Sequence, residues 1–317
     1  MPYSPVFKQC NNSLFISCLI NLALYTFSFA GGDDSFNLKE VSPGNYVHSG
    51  RHVYIDDPDN DDIANIGFII GDKCIAVIDT GGSYNIGKQL LAAIRNKSEL
   101  PICYVINTHI HFDHVLGNSV FTGEEPEFIG HVRLKDEIER NRSFFLENFR
   151  KNLGPEPSEN SIIGPTLTVE DNMEIDLGGK KLRLISQPTA HSHSDMIILE
   201  TATSTLWAGD LLFRERIPVL DGNLKNWLKV IDDLSDMSVS VVIPGHGTVS
   251  TEWPEAITPE KTYLTILLDQ TRESIAKGLF LDEAIAVVGQ KEKQKWLLYE
   301  QVHGRNVTRA FSELEWE

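Results

Sequence analysis

The chain has 317 residues, 45 acidic against 28 basic, and a formal net charge of -17 at pH 7. That length, with a mixed composition and no long low-complexity tract, fits one large α/β domain, alone or with a small extension. The acidic balance argues against nucleic acid or an anionic membrane as the main partner, since both recruit basic surfaces; it also simply keeps a protein soluble.

The first thirty residues read as a signal peptide. Lys8 is their one charge, Leu14 to Phe27 is apolar, and Ser28-Phe29-Ala30 offers small residues at the two cleavage-determining positions. Cleavage after Ala30 leaves a mature chain from Gly31, periplasmic or secreted, with no stable membrane span. The apolar stretch falls short of the ~20 residues a spanning helix needs, and an uncleaved anchor is the alternative. Cys18 does not make a lipoprotein, because the apolar run continues past it to Phe27. Cys10 and Cys18 leave with the leader, so Cys74 and Cys103 remain, both on expected strands. In an oxidising compartment they either pair, closing a loop of about thirty residues worth roughly 3–4 kcal/mol in the chain-entropy model, or stay as two buried thiols. Two cysteines alone make no zinc site.

After the leader, Tyr46 to Tyr54, Ile66 to Ile70 and Cys74 to Asp79 read as strands. Asp79-Thr-Gly-Gly82 is a turn, Ile86, Leu90, Leu91 and Ile94 mark one face of a helix, and Pro101 introduces a strand over Ile102 to Ile106. A charged helical segment, Val132 to Asn152, precedes a loop with Pro155, Pro157 and Pro165. Further strands follow at Thr166 to Val169, Lys181 to Ile185, Met196 to Glu200 and Thr205 to Trp207. Leu224, Trp227, Leu228, Ile231 and Leu234 space out a helix, and Val239 to Ile243 is the strand after it. Two strand-rich halves, each closing with helix and strand, predict a sandwich of sheets covered by helices over 31–257. From Pro259 the pattern is helical, and 258–317 reads as a C-terminal extension suited to packing or to a protein partner.

The segment Asn107-Thr-His-Ile-His-Phe-Asp-His114 sits directly after a buried strand and holds four potential ligands in six residues. A regular element cannot turn all four the same way, so a tight loop must gather them. Imidazole and carboxylate at that density suit zinc, which they bind at ~2.0–2.2 Å. Three later segments add donors at strand ends: His191-Ser-His-Ser-Asp195, Ala208-Gly-Asp210 and Pro244-Gly-His-Gly247. Either His191 or His193 serves in the first of these. Each alone reads as a solvated turn; together, behind the H-x-H-x-D-H cluster, they point to a metal pair.

Thr108-His-Ile-His-Phe-Asp-His114, Ala190-His-Ser, Gly209-Asp210, Pro244-Gly-His-Gly247 and the preceding Ile78-Asp-Thr-Gly81 resemble, in that order, the motifs of the metallo-β-lactamase fold superfamily. The resemblance covers about residues 45 to 250 and implies an α/β fold, an αββα sandwich with its site along one edge of the sheets. It implies that His109, His111 and His191 hold one metal, that Asp113, His114 and His246 hold the other, and that Asp210 bridges them. It favours His191 over His193, because Ser192 and Ser194 fall where the superfamily has small residues. Asp79 then orients the ligand loop by hydrogen bonds, or else caps a turn.

A flavodiiron oxidoreductase would carry a carboxylate at His111, and a cysteine-ligand β-lactamase would carry Cys at Asp210. The bridging Asp groups the chain with glyoxalase II, lactonase-like enzymes and persulfide dioxygenases. The stretch Asp210 to Asp221 and the ending Arg305-Asn-Val…Glu313-Leu-Glu-Trp-Glu317 further resemble the exported quinoprotein relay system zinc metallohydrolases. The nuclease branch inserts a large domain between the late motifs, whereas only thirty-five residues, Leu211 to Gly245, lie between Asp210 and His246 here.

The expected activity is hydrolysis of an ester, thioester, lactone or lactam of a small-molecule substrate. Two Zn2+ ions would share a water, bring its pKa toward ~7 and present hydroxide, with Asp113 orienting it and passing its proton on. Arg214 and Arg216 either bind a substrate carboxylate or sit on the surface. Iron in the same donor set would instead suit an oxidoreductase acting on persulfides. A metal-stabilised accessory protein of a periplasmic redox system, docking through its C-terminal helices, is the third reading.

Overall fold

Short β-branched runs broken by turns build two sheets among the described residues, 36–317, in a computed structural model; the expected leader, 1–30, lies outside those residues. The first sheet takes its strands in chain order: β1 (Leu38–Ser42), β2 (Asn45–His48), β3 (Ile66–Ile70), β4 (Ile75–Ile78), β5 (Ile102–Ile106), β6 (Glu127–His131) and β7 (Leu167–Val169). Pairing is antiparallel from β1 to β4 and parallel from β4 to β7. Parallel neighbours need a crossover. Between β4 and β5 this is α1 (Tyr84–Lys97), whose first turn is capped by Ser83 Oγ accepting from Ile86 N at 3.1 Å.

The second sheet contains β8 (Asn172–Asp176), β9 (Lys181–Ser186), β10 (Met196–Glu200), β11 (Thr205–Phe213) and β12 (Val241–His246), in spatial order β12-β11-β10-β9-β8. Only β11 and β12 pair in parallel, and α4 (Leu224–Ser235) is their crossover. Ile78, Ile106 and Ile129 from the first sheet meet Leu182, Leu184, Ile198 and Trp207 from the second in one buried layer. Ile86, Leu90 and Ile94 of α1 cover the outer face of the first sheet, and Trp227 and Ile231 of α4 cover that of the second. The αββα sandwich expected from the motifs is the architecture found.

Three terminal helices, α5 (Thr258–Ala276), α6 (Leu281–Val287) and α7 (Tyr299–Leu314), add to this last layer. Tyr263, Leu264, Leu267, Val302, Val307 and Ala310 are buried in the same cluster as Trp227 and Leu206, so these helices share the core of the second sheet. No helix among the described residues is long and apolar enough to cross a membrane.

Some elements differ from the expected ones, each for a tertiary reason. The strand expected over Tyr46 to Tyr54 ends at His48, because Gly50 N is taken by Asn65 Oδ1 and Arg51 N by Asp62 O, which folds 49–65 back on itself. Ala208-Gly-Asp210 does not end its strand. Gly209 (φ +53) forms an irregularity in the β11 register and the strand continues to Phe213, because Leu211, Leu212 and Phe213 are all buried. Strands β1, β6 and β8 lack a pattern strong enough to read and are held by their neighbours. Cys74 and Cys103 are free thiols; burial, with Cys103 alongside, pushes the Cys74 thiol up to about 12.

Trp207 spans the inter-sheet layer and donates Nε1–H to Asn45 Oδ1 at 3.2 Å. Trp207→Ala should lower unfolding free energy by about 3–5 kcal/mol, read from urea denaturation monitored by circular dichroism.

Candidate metal centre

After β5 the chain makes the turn that carries His109 and His111, then a single helical turn, α2 (Phe112–Val115), that carries Asp113 and His114. His191 comes from the loop between β9 and β10, Asp210 from the irregularity in β11, and His246 from the last residue of β12. Asp79 pins the first of these turns. Its own backbone is left-handed (φ +54), its Oδ1 accepts from Thr108 N at 2.8 Å, and its Oδ2 accepts from Thr108 Oγ1 at 2.7 Å and His114 Nδ1 at 2.8 Å. A left-handed non-glycine residue costs about 1–3 kcal/mol and persists only where its surroundings over-determine it. Three bonds to one carboxylate do so here.

All seven expected residues meet. His109 Nε2 and His191 Nε2 stand 3.0 and 2.9 Å from His111 Nδ1, and 3.6 and 3.3 Å from Asp210 Oδ2. Beside them, Asp113 Oδ2 lies 3.5 Å from His114 Nε2 and 3.3 Å from His246 Nε2, while Asp210 Oδ1 lies 3.1 Å from His114 Nε2. Donors at ~2.0–2.2 Å from one tetrahedral centre stand roughly 3.3–3.6 Å apart, so both groups have the dimensions of an ion's shell. Asp210 turns one oxygen to each group, the place of a bridge. His193 is exposed and faces Thr189.

The outer nitrogens decide which way the lone pairs point. His191 Nδ1–H donates to Val219 O (2.7 Å), His246 Nδ1–H to Ile63 O (2.7 Å), His114 Nδ1–H to Asp79, His109 Nδ1–H to Thr108 Oγ1 (3.0 Å) and His111 Nε2–H to Asp221 Oδ2 (3.0 Å). In its neutral form each ring therefore presents its other nitrogen to the cluster as a lone pair. His114 Nε2 and Asp210 Oδ1 are buried without a hydrogen-bond partner among the described residues. Such orphans are rare unless an ion or water satisfies them. Burial holds His191 down at about 4 and His109 well below its usual value, so both rings are neutral and ready to ligate. At His114 burial works the same way, but Asp210, Asp113 and Asp79 outweigh it and raise the ring, a field that favours positive charge at Nε2. The donor set fits two divalent ions.

The family model for the metallo-beta-lactamase superfamily matches residues 59–246. The chain belongs to that superfamily. The linear primary-alkylsulfatase of Pseudomonas sp. (strain ATCC 19151) is 23% identical over 252 residues, 68% of this chain and 48% of that protein. The chain thus spans about half the length of the curated relative it matches. Among solved structures, the stereoselective inverting sec-alkylsulfatase Pisa1 from Pseudomonas sp. aligns with a TM-score of 0.62 at 18% identity, over 87% of this chain and 50% of that one. A metallo-beta-lactamase from Pontibacter korlensis aligns at 0.59 and 17%, over 72% and 98%. At these identities the structural likeness is one of fold.

In this metallo-beta-lactamase superfamily chain several residues around the ligands escape a sequence reading. Asp221 orients His111 and is itself paired with Arg305 of α7. Burial alone would raise its carboxyl, but His111 and Arg305 outweigh burial and hold it below the usual range. Asn306, next on α7, accepts from Leu220 N at 3.0 Å and donates to Pro218 O at 2.7 Å, clasping both sides of the Val219 carbonyl that orients His191. Asp195 is buried and folds the His191 loop by accepting from Ala190 N, Ser192 N and Ser192 Oγ; burial raises its carboxyl to about 6. Asn65 donates to Pro244 O and Gly247 O, on either side of His246. Arg214 turns to the Thr248 carbonyl, whereas Arg216 is buried in the wall of the cavity over the metal cluster.

Two substitutions outside the donor set test this support. A Cβ at Gly245 would stand 1.9 Å from Asp210 Oδ1, so Gly245→Ala should displace the Asp210 carboxylate and reduce bound metal in elemental analysis. Asn306→Ala should weaken metal retention roughly 10–100-fold in chelator competition, as loss of a ligand-orienting contact does, with the circular dichroism spectrum retained.

Proposed function

We propose that the protein is an exported two-metal hydrolase that cleaves an ester, thioester, lactone or lactam bond in a small molecule. One observation carries this reading: seven donor atoms converge in two shell-sized groups, and each of the five rings has its outer nitrogen spent on a separate acceptor. Zinc suits these nitrogen and oxygen donors, and a bound pair would supply Lewis acidity and a water made acidic near neutral pH. The chain's own groups do the rest. Asp113 faces the cavity above the cluster and is placed to take a proton from the attacking water and return it to the leaving atom. Phe112, Phe145 and Phe149 line that cavity and exclude bulk water, strengthening each charge inside it.

The alkylsulfatase relative adds sulfate esters to the bond classes worth assaying. Kinship with the quinoprotein relay system metallohydrolases rests on the two stretches that carry the resemblance, which meet in the fold: Arg305 pairs with Asp221, and Asn306 clasps Pro218 and Leu220. Export rests on the leader-like first thirty residues.

Elemental analysis of purified protein should find two zinc equivalents, and a panel of ester, thioester, lactone, lactam and alkyl sulfate should include a substrate. His111→Ala should lose metal and turnover together. Undiminished turnover in metal-stripped protein would reject the proposal; iron with oxygen uptake on a persulfide would replace hydrolysis by oxidation. Material recovered from the periplasm or medium should begin at Gly31.

A further inference from the structure

The cavity over the metal cluster has a volume of about 340 Å3 and two unlike sides. One is apolar, built from Ile55, Ile110, Phe112, Phe144, Phe145 and Phe149. Its rings are packed together, Phe112 stacking on Phe149 at 4.5 Å, while Phe144 and Ile55 stay 51% and 46% exposed at the rim. Large apolar side chains left open beside a cavity mark a surface that a ligand covers.

The other side holds two arginines in different states. Arg305 is spent: it pairs with Asp221, which also takes the His111 proton. Arg216 is 95% buried by its 5% relative exposure, yet among the described residues no carboxylate lies within ion-pair reach of it, and its Nε has no hydrogen-bond partner. Its nearest polar contact is Nη1 to His246 Nδ1 at 3.5 Å, and that nitrogen already donates its proton to Ile63 O at 2.7 Å, so it has nothing to accept with. Asp113 and Asp210, the carboxylates that favour its charge, turn oxygens toward the histidines. A buried guanidinium without a counter-ion costs several kcal/mol. A protein keeps one in a cavity wall when something bound there completes it.

The geometry points to Arg216 as an anion subsite, so that the substrate is an amphiphile carrying a permanent oxyanion, carboxylate or sulfate-like, next to an alkyl or aryl group that lies on the phenylalanine wall. This rests on the hydrolase reading for the reaction but not for the binding. Arg214, two residues earlier, takes no part. Glu215 between them has a left-handed backbone (φ +61), which sends Arg214 out to Thr248 and leaves Arg216 inside.

The test is calorimetric titration of metal-loaded protein with octane-1-sulfonate, octanoate and 1-octanol, none of which has a scissile ester. The sulfonate, the octanoate or both should bind at least tenfold more tightly than the alcohol, and which anion binds more tightly tells a sulfate-type from a carboxylate-type substrate. Arg216→Met should abolish that preference while leaving thermal unfolding unchanged or raised, since it removes an uncompensated buried charge. Phe144→Ser, at an exposed position, should weaken octane-1-sulfonate several-fold and leave ethanesulfonate unchanged. Equal binding of alcohol and anions, anion binding indifferent to Arg216→Met, or a clear fall in the melting temperature of that variant would each overturn the assignment. Because these readouts need no turnover, a protein that hydrolyses esters but shows no anion preference refutes the subsite alone, and one that binds anions through Arg216 without turnover refutes the hydrolase alone.

Discussion

Five imidazole nitrogens and two carboxylates turned toward one another at about 3 Å would push apart in any chain free to relax. The candidate metal centre therefore depends on the hydrogen bonds behind its donors, which fix each ring without an ion. Their acceptors are scattered: Asp79 and Thr108 at the ends of β4 and β5, Ile63 O ahead of β3, Val219 O and Asp221 after β11. Much of the sandwich can be understood as the means of bringing these acceptors to one edge. The left-handed backbone of Asp79 is tolerated because three bonds converge on its carboxylate, and Gly245 is small because Asp210 occupies the space a side chain would need.

The C-terminal helices belong to this support. Their apolar faces complete the second sheet's outer layer, and from that anchorage α7 reaches the strap Ile217–Asp221 with Arg305 and Asn306 on one turn and Arg309 on the next. The strap supplies the acceptors for His111 and His191, so packing energy gained far from the donor cluster is converted into orientation of its rings. Tyr263 of α5 ties the same point, since its hydroxyl accepts from Asn306 Nδ2 at 3.0 Å and bonds His303 Nδ1 at 3.0 Å.

The cavity above the cluster joins chemistry to recognition. Its apolar wall joins Phe144, Phe145 and Phe149, at the end of α3 (Leu134–Asn148), to Ile110 and Phe112 of the donor-bearing turn and to Ile55, and its charged wall comes from the chain after β11 and from α7. Scaffold and wall share residues: Ile110 and Phe112 alternate with His109, His111 and Asp113, so the turn that gathers the donors also floors the cavity.

The sequence by itself singled out the seven candidate ligands, because four of them fall in His109 to His114 and the other three stand beside glycine or serine next to apolar runs. It also determined the layered α/β class, because alternating apolar runs and helical spacings are local properties. The superfamily motifs imply how these residues divide between two ions, and the geometry places them in two groups. Only the tertiary structure decided what stands behind them. Asp221 meets His111 across more than a hundred residues, and Asn306 meets Leu220 across eighty-six. No periodicity encodes such pairs. The same holds for Arg214 and Arg216, alike in sequence and opposite in fate: a left-handed residue between them and the loop they face, neither visible from spacing, send one to the surface and leave the other buried and uncompensated beside the donor cluster.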